Sequence, residues 1–190
     1  MKSTNSITIL GLILLSGNLF GACNHPDDFP QFARDQILAY GLFYNATELF
    51  RFTMAGQPAG SHNFDADCPQ GGTVHIEGTS QVGSTVAVDI TYDMHDCRFE
   101  NIVIMDDLVL NGKLHHTVNY DSAGLGGEDL FAEDLRMEGT LYGGPDQAGF
   151  KQKCDIEISY IESDISITFL GLICGRDVGI SLWHVTYEGE

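Results

Sequence analysis

Apolar residues recur at intervals of three and four between Pro30 and Gly60 and at intervals of two from there towards the C-terminus, which divides the chain into one helix and a long run of strands. In the segment QFARDQILAYGLFYNATELFRFTMAG, Ile37, Tyr40 or Gly41, Tyr44 and Glu48 lie down one side of a helical wheel. Leu38, Leu42, Leu49 and Phe52 build a broad apolar face. The spacing predicts a helix from about Phe32 to Met54, with Asp28 before Pro30 as the start signal and Gly56 with Pro58 as the stop. Tyr40, Phe43, Tyr44, Phe50 and Phe52 are numerous enough to line a ligand groove, but an aromatic-rich helix in a chain of this size is more often core.

After Gly60 the alternation is uninterrupted by any helical period, which predicts antiparallel sheet rather than strand-helix-strand units. Val74 and Ile76 alternate with His75 and Glu77. Val86, Val88, Ile90 and Tyr92 alternate with Ala87, Asp89 and Thr91, with Val82-Gly83-Ser84 turning between the two strands. Leu108, Leu110, Leu114, His116, Val118 and Tyr120 share one face of a long strand, and Gly112 at its middle predicts a bulge or bend. Leu135, Met137 and Leu141 mark another strand. Cys154 to Ile161 and Ile165 to Ile173 form a further pair about the Glu162-Ser163-Asp164 turn, and Ile180 to Tyr187 closes the chain. The expected fold is α+β: a mainly antiparallel, curved β-sheet of about seven to nine strands packed on one N-terminal α-helix. One domain over residues 31–190 accommodates all of it.

Three phrases, TVHIEGT, LVLNGKL and LRMEGTL, share an apolar-x-apolar-x-Gly core. Their glycines stand 34 and 27 residues apart, too unequal for a strict solenoid, so curvature of one sheet is the better explanation.

The N-terminus reads differently from the rest. Lys2 and the free amine precede the apolar run ITILGLILL, and Ser16-Gly17-Asn18 then breaks it, the layout of a secretory signal peptide over residues 1–22. The run falls short of the roughly 20 apolar residues a bilayer-spanning helix needs. Phe20-Gly21-Ala22-Cys23 follows, and this tetrapeptide resembles the lipobox of bacterial lipoproteins, with Phe20 where leucine is usual. The resemblance implies that Cys23 is acylated and that residues 23–30 are a tether to the membrane. Cysteine parity agrees. Five cysteines leave an odd thiol in an oxidising compartment, whereas a thioether at Cys23 leaves Cys68, Cys97, Cys154 and Cys174 as an even set.

Hairpin symmetry then selects the pairing. Cys154 and Cys174 lie symmetrically about Asp164, and Cys68 and Cys97 flank the first hairpin about a centre between Val82 and Gly83, so the expected disulfides are Cys68–Cys97 and Cys154–Cys174. The run Cys68-Pro69-Gln70-Gly71-Gly72, followed by alternating strands and a second cysteine, resembles a pattern in uncharacterised bacterial envelope lipoproteins. That resemblance covers Cys68 to about Tyr120 and implies location and fold, with no activity attached.

Composition narrows the partners. With 27 acidic against 9 basic residues, the formal net charge is −18, and such a surface repels phosphate backbones and anionic headgroups. Nucleic acid is therefore not an expected partner, and acidity is read first as solubility.

Candidate chemistry is sparse. The seven histidines show no His-x-x-x-His spacing, so no metal site is expected. His115 and His116 are adjacent on a strand and point to opposite faces; His116 falls on the apolar face as a satisfied, partly buried side chain. His95, between Asp93 and Asp96, belongs to a solvated loop near Cys97 on this reading. The segment DSAGLGGEDLFAED, Asp121 to Asp134, reads as a mobile acidic loop whose Asp121, Glu128, Asp129, Glu133 and Asp134 are oxygen ligands for a hard cation only if they converge, and their spacing matches no EF-hand. Its Gly124, Gly126 and Gly127 are followed by no Lys-Ser/Thr, so a phosphate cradle is not expected. No G-x-S-x-G elbow occurs, and the disulfide and lipid assignments leave no thiolate nucleophile.

These observations lead to an expected non-enzyme without a cofactor: a lipid-anchored protein of the bacterial cell envelope, on the outer membrane, acting as a binding or interaction module for an unidentified protein. The alternative is a carrier of an apolar ligand or lipid in a cavity between sheet and helix. A hydrolase would require His and carboxylate side chains converging in an open cleft.

Overall fold

The structure, a computed structural model, describes residues 31–100, 105–123, 126–141, 148–162 and 166–183. Cys23, the tether and the residues of the Ser163-Asp164 turn lie outside the described residues, as does the end of the chain beyond Trp183.

The helical period produces α1, Gln31–Met54. Arg51 stands in its last turn, where a cation meets the carbonyl end of the helix dipole, and it also bonds Glu48 one turn back at 2.9 Å. Gly56 ends the helix as predicted. It takes a left-handed φ of 79°, and the Gln57 N–H donates to the Met54 carbonyl at 3.0 Å.

Among the described residues nine strands follow: β1 Gly60–Asp67, β2 Thr73–Val82, β3 Val86–Arg98, β4 Met105–Tyr120, β5 Gly126–Leu141, β6 Ala148–Glu162, β7 Ser166–Ile173, β8 Arg176–Asp177 and β9 Ile180–Trp183. From β1 to β8 each pairs antiparallel with the next, so the sheet is an up-and-down meander. β9 also pairs with β7, on the stretch that β8 leaves uncovered. β8 and β9 thus form one edge strand interrupted at Val178-Gly179, and the Val178 N–H crosses the gap to the Gly171 carbonyl at 3.0 Å. One N-terminal helix on an open antiparallel sheet is the predicted fold class.

Two assignments differ from the expectation. β1 was not anticipated, because GSHNFDAD carries only His62, Phe64 and Ala66 on its inward side and reads as polar linker. An edge strand has one paired flank and needs fewer apolar residues to hold it. The supposed acidic loop is also mostly strand. β5 begins at Gly126, and Glu128, Asp129, Glu133 and Asp134 all stand on it. The alternation through them was hidden because the outward positions are acidic and the inward one at 128 is acidic too.

The β-sheet is bent by bulges of one recurring kind. Register shifts fall between Met94 and Cys97, between Asp106 and Val109, and between Ala132 and Leu135. At each stands an aspartate in the left-handed region, Asp96 at φ 50°, Asp107 at 53° and Asp134 at 57°. Aspartate tolerates this conformation better than most residues. A bulge also removes one N–H from the ladder. Here the Asp96 N–H donates to Asn111 Oδ1 (2.7 Å), that of Asp107 to Asp106 Oδ1 (3.0 Å), and that of Asp134 to Asp155 Oδ1 (3.0 Å). Gly112 lies beside a further shift between Asn111 and His115, at φ 113°, which is the bend its position predicts.

Alternate residues of the strands and one side of α1 close a single core. Leu38, Leu42, Ala46 and Leu49 of the helix meet strand residues such as Leu114, Leu130, Leu135, Ile156 and Ile158, all essentially without exposure. Phe43 joins Tyr160 and Phe169 in an aromatic cluster with ring centroids 5.4 to 5.6 Å apart. Phe52, expected on the apolar face, is 53% exposed, because the buried stripe continues instead through Leu49 to Thr53. Tyr44 is also exposed, so the helix aromatics divide between core and surface.

Both predicted disulfides are present. Cys68–Cys97 ties the β1–β2 turn to the end of β3, and Cys154–Cys174 ties β6 to the β7–β8 turn. The CPQGG run is that first turn, held by Gly71 N–H to Cys68 O and Cys68 N–H to Gly72 O, and clipped to β3 by Arg98 N–H to Gly71 O.

Candidate functional site

The polar chemistry of the interior gathers where α1 crosses β4 and β5. His116 on β4 is 1% exposed, and its parity with Leu114 and Leu110 turns it inward as the alternation requires. Its Nε2 lies 3.1 Å from Glu128 Oε2 on β5. Thr47 of the helix donates to the same oxygen at 3.3 Å, and the Tyr120 hydroxyl donates to Oε1 at 3.4 Å. One carboxylate therefore collects donors from α1 and β4, which offsets the cost of holding a charge inside the fold.

The cluster is not fully satisfied. A carboxylate only accepts, so His116 donates through Nε2, and in the neutral ring Nδ1 is an acceptor. Among the described residues that buried atom has no partner, nor has the buried Tyr92 hydroxyl on β3, whose ring lies 6.2 Å from the His116 ring. Burial pushes the Tyr92 phenol far above the usual tyrosine range, and the Glu128 charge adds to the shift. His116 is thus more deeply buried, and less well satisfied, than its place on an apolar face implied. Sequence reasoning missed Glu128 and Tyr92 as its neighbours. Tyr92 was visible as an inward position, but Glu128 comes inward only once β5 is recognised as strand.

A proton-transfer pair in this position has the right groups and the wrong access. The Glu128 side chain is 13% exposed and that of His116 1%, so the pair is almost closed to solvent in this conformation. The arrangement acts as a polar clasp between helix and sheet.

The other histidines sit apart. His115 faces outward and bonds Asp89 at 2.8 Å, His75 bonds Asp65 at 2.7 Å, and His62 meets Ser80 at 2.8 Å inside the sheet edge. His95 belongs to β3 rather than to a loop, exposed and 3.9 Å from Asp93. The acidic residues of 121–134 separate by strand parity: Glu128 points into the core, while Asp129 points out and accepts from Thr117 and Ser159. Among the described residues, no group of three or more histidine, cysteine or acidic side chains is placed to hold a metal ion.

Two open grooves adjoin each other at the C-terminal end of α1. One, of about 340 Å³, is lined by Phe50, Met54, Ala55 and Val82 with Arg51 and Gln57 at its rim. The second, of about 470 Å³, runs along the β2–β3 end past Gly60, Gln81 and Asp89. Ala59 and Ser80 border both.

On the face of the sheet opposite the core, Phe131, Ile161, Leu170 and Leu172 are each 42 to 47% exposed. Register places them together: Phe131 and Leu172 flank Glu157 on either side, and Leu170 neighbours Leu172 two residues along β7. Comparison with protein families, with curated proteins and with solved structures finds no match to the chain.

Proposed function

We propose that the protein is a lipoprotein of the bacterial envelope, anchored through acylated Cys23, whose folded domain is a non-catalytic binding or interaction module. The observation that carries the reading is the filled interior. Leu42 and Leu49 of α1 are without exposure, and Phe43 is sealed between Tyr160 and Phe169, so the protein's own helix occupies the space where an enclosed ligand would sit. Recognition is then left to the outer surfaces. Two disulfides support an oxidising, exported location. Among the described residues no helix is long and apolar enough to cross a membrane, and attachment in this reading rests on the acyl chains. Eight tether residues, 23–30, reach at most about 28 Å, which keeps the domain at the membrane surface.

The apolar-carrier reading keeps one supporting observation, the groove beside Phe50, Met54 and Val82, whose volume falls at the low end of ligand sites. Fractionation and native mass spectrometry separate the two. Cys23→Ser releases the protein from membranes, and the released protein, purified without detergent, shows its bare mass. Retention on membranes overturns the anchor, and a co-purifying lipid mass moves the assignment to a carrier.

A further inference from the structure

We infer that the outward face of β5, β6 and β7 is a docking surface for a cationic, apolar segment of a protein partner. The inference rests on the interaction-module reading and names the partner's chemistry.

Across the sheet the face reads Phe131, Glu157, Leu172 in one row and Asp129, Ser159, Leu170 in the next, with Ile161 beside Thr168 in the row after. Neighbouring strands stand about 4.8 Å apart, so Phe131 and Leu172 lie about 10 Å from each other with the Glu157 side chain between them. Four large apolar residues on adjoining strands, each more than two-fifths exposed, exceed the scattered single hydrophobics that a soluble surface ordinarily shows.

Charge selects the occupant. The two lysines of β6 on this side of the sheet are already engaged, Lys151 with Glu138 and Lys153 with Asp134. Arg176 is held by Asp35. Glu157 has no hydrogen bond or ion pair among the described residues, and an unpaired carboxylate flanked across the sheet by Phe131 and Leu172 is costly to cover with anything but a cation. A second copy of this chain would bring a further net charge of −18 against it. A lipid surface would cover Glu157 with acyl chains. A segment presenting lysine or arginine between apolar side chains satisfies both parts of the face.

The test uses the full exported chain with Cys23→Ser, a synthetic peptide of alternating leucine and lysine, and a leucine-glutamate peptide as control, in about 0.15 M salt. The leucine-lysine peptide should shift the amide resonances of residues 157–161 and 168–172 and leave those around Asp65 and Glu77, on the same face at the opposite edge of the sheet, unmoved. Glu157→Lys should weaken its binding by roughly tenfold or more, and Leu172→Ser by about fivefold. Ile161→Ser serves in place of either variant that fails to fold. Shifts spread over the whole acidic surface and indifferent to Leu172→Ser overturn the inference, as does a stronger response of the same amides to phosphatidylcholine vesicles or to protein concentration alone. The anchor is scored separately: a Glu157→Lys protein with native Cys23 that stays on membranes but no longer binds the peptide confirms the patch without touching the anchor, and membrane retention of the Cys23→Ser protein overturns the anchor while leaving the patch intact.

Discussion

Asp35 and Arg176 stand 141 residues apart and are joined by two charge-assisted hydrogen bonds of 2.7 and 2.9 Å. The pair fastens the first turns of α1 to β8, so the two ends of the described fold hold each other. The carboxylate is 2% exposed and the guanidinium 40%, and the bond to Asp35 raises the Arg176 pKa above its ordinary value.

The unequal burial predicts an unequal cost. Arg176→Met strips the guanidinium from a buried carboxylate and should destabilise the protein by about 2–4 kcal/mol. Asp35→Asn leaves a half-exposed arginine that can turn to water, and the cost should fall to about 1–2 kcal/mol. Urea unfolding of both variants checks this, and equal losses would show that the carboxylate is stabilised without the guanidinium.

Tyr92 predicts the alkaline behaviour. Its pKa is raised in the folded protein, so the native state holds the phenolic proton more tightly than the unfolded chain does. Stability from this group is complete below the unfolded tyrosine value near 10 and is lost progressively as pH rises above it. Ultraviolet titration should show Tyr92 ionising only as the protein unfolds. Because the hydroxyl has no partner among the described residues, Tyr92→Phe should be neutral or stabilising by about 1 kcal/mol and should lessen the alkaline loss. A destabilisation of more than about 1 kcal/mol would mean that the hydroxyl is bonded in solution, with an internal water as its partner.

The alternation of apolar residues carried most of the fold, because in a meander each strand pairs with its sequence neighbour and local pattern is enough. It missed β1, whose inward side is supplied by His62, Phe64 and Ala66, and it missed the first half of β5, where Glu128 takes an inward position. A buried glutamate is legible only with its partners, and Thr47 and His116 come from elsewhere in the chain. Asp35–Arg176 was hidden for the same reason. The disulfides were legible because cysteines symmetric about a hairpin centre end up opposite each other. The outer apolar patch was not, since Phe131 fell in the segment read as an acidic loop, and Ile161, Leu170 and Leu172 stood in strands whose faces only the register assigns.

The aspartate bulges predict a reversal of ordinary substitution rules at exposed positions. At Asp96, with φ 50°, Asp96→Gly should be neutral within about 0.5 kcal/mol, because glycine adopts the left-handed region freely. Asp96→Val should cost about 1–2 kcal/mol although the site is exposed. Asn111→Ala removes the acceptor of the Asp96 N–H and should cost about 1 kcal/mol. Thermal unfolding of the three variants measures the series, and a valine as well tolerated as glycine would show that the strand abandons the bulge.

The disulfides close loops with sequence separations of 29 for Cys68–Cys97 and 20 for Cys154–Cys174. In the chain-entropy account each stabilises by about 3–4 kcal/mol, with the longer loop slightly ahead. Their contexts differ. Cys68 and Cys97 are buried, and they clip a turn that β3 also holds through the Arg98 N–H, so the double Cys68→Ala and Cys97→Ala variant should keep the turn and lose the entropic share alone. Cys154 and Cys174 are partly exposed, and they brace the turn that carries Arg176 to Asp35. Replacing both by alanine should therefore lower stability by about 3 kcal/mol and, beyond that, weaken the ion pair. Combining this double variant with Arg176→Met provides the measurement: losses that fall short of additivity show that the disulfide and the ion pair hold the same edge of the sheet, and strict additivity would show that they act independently.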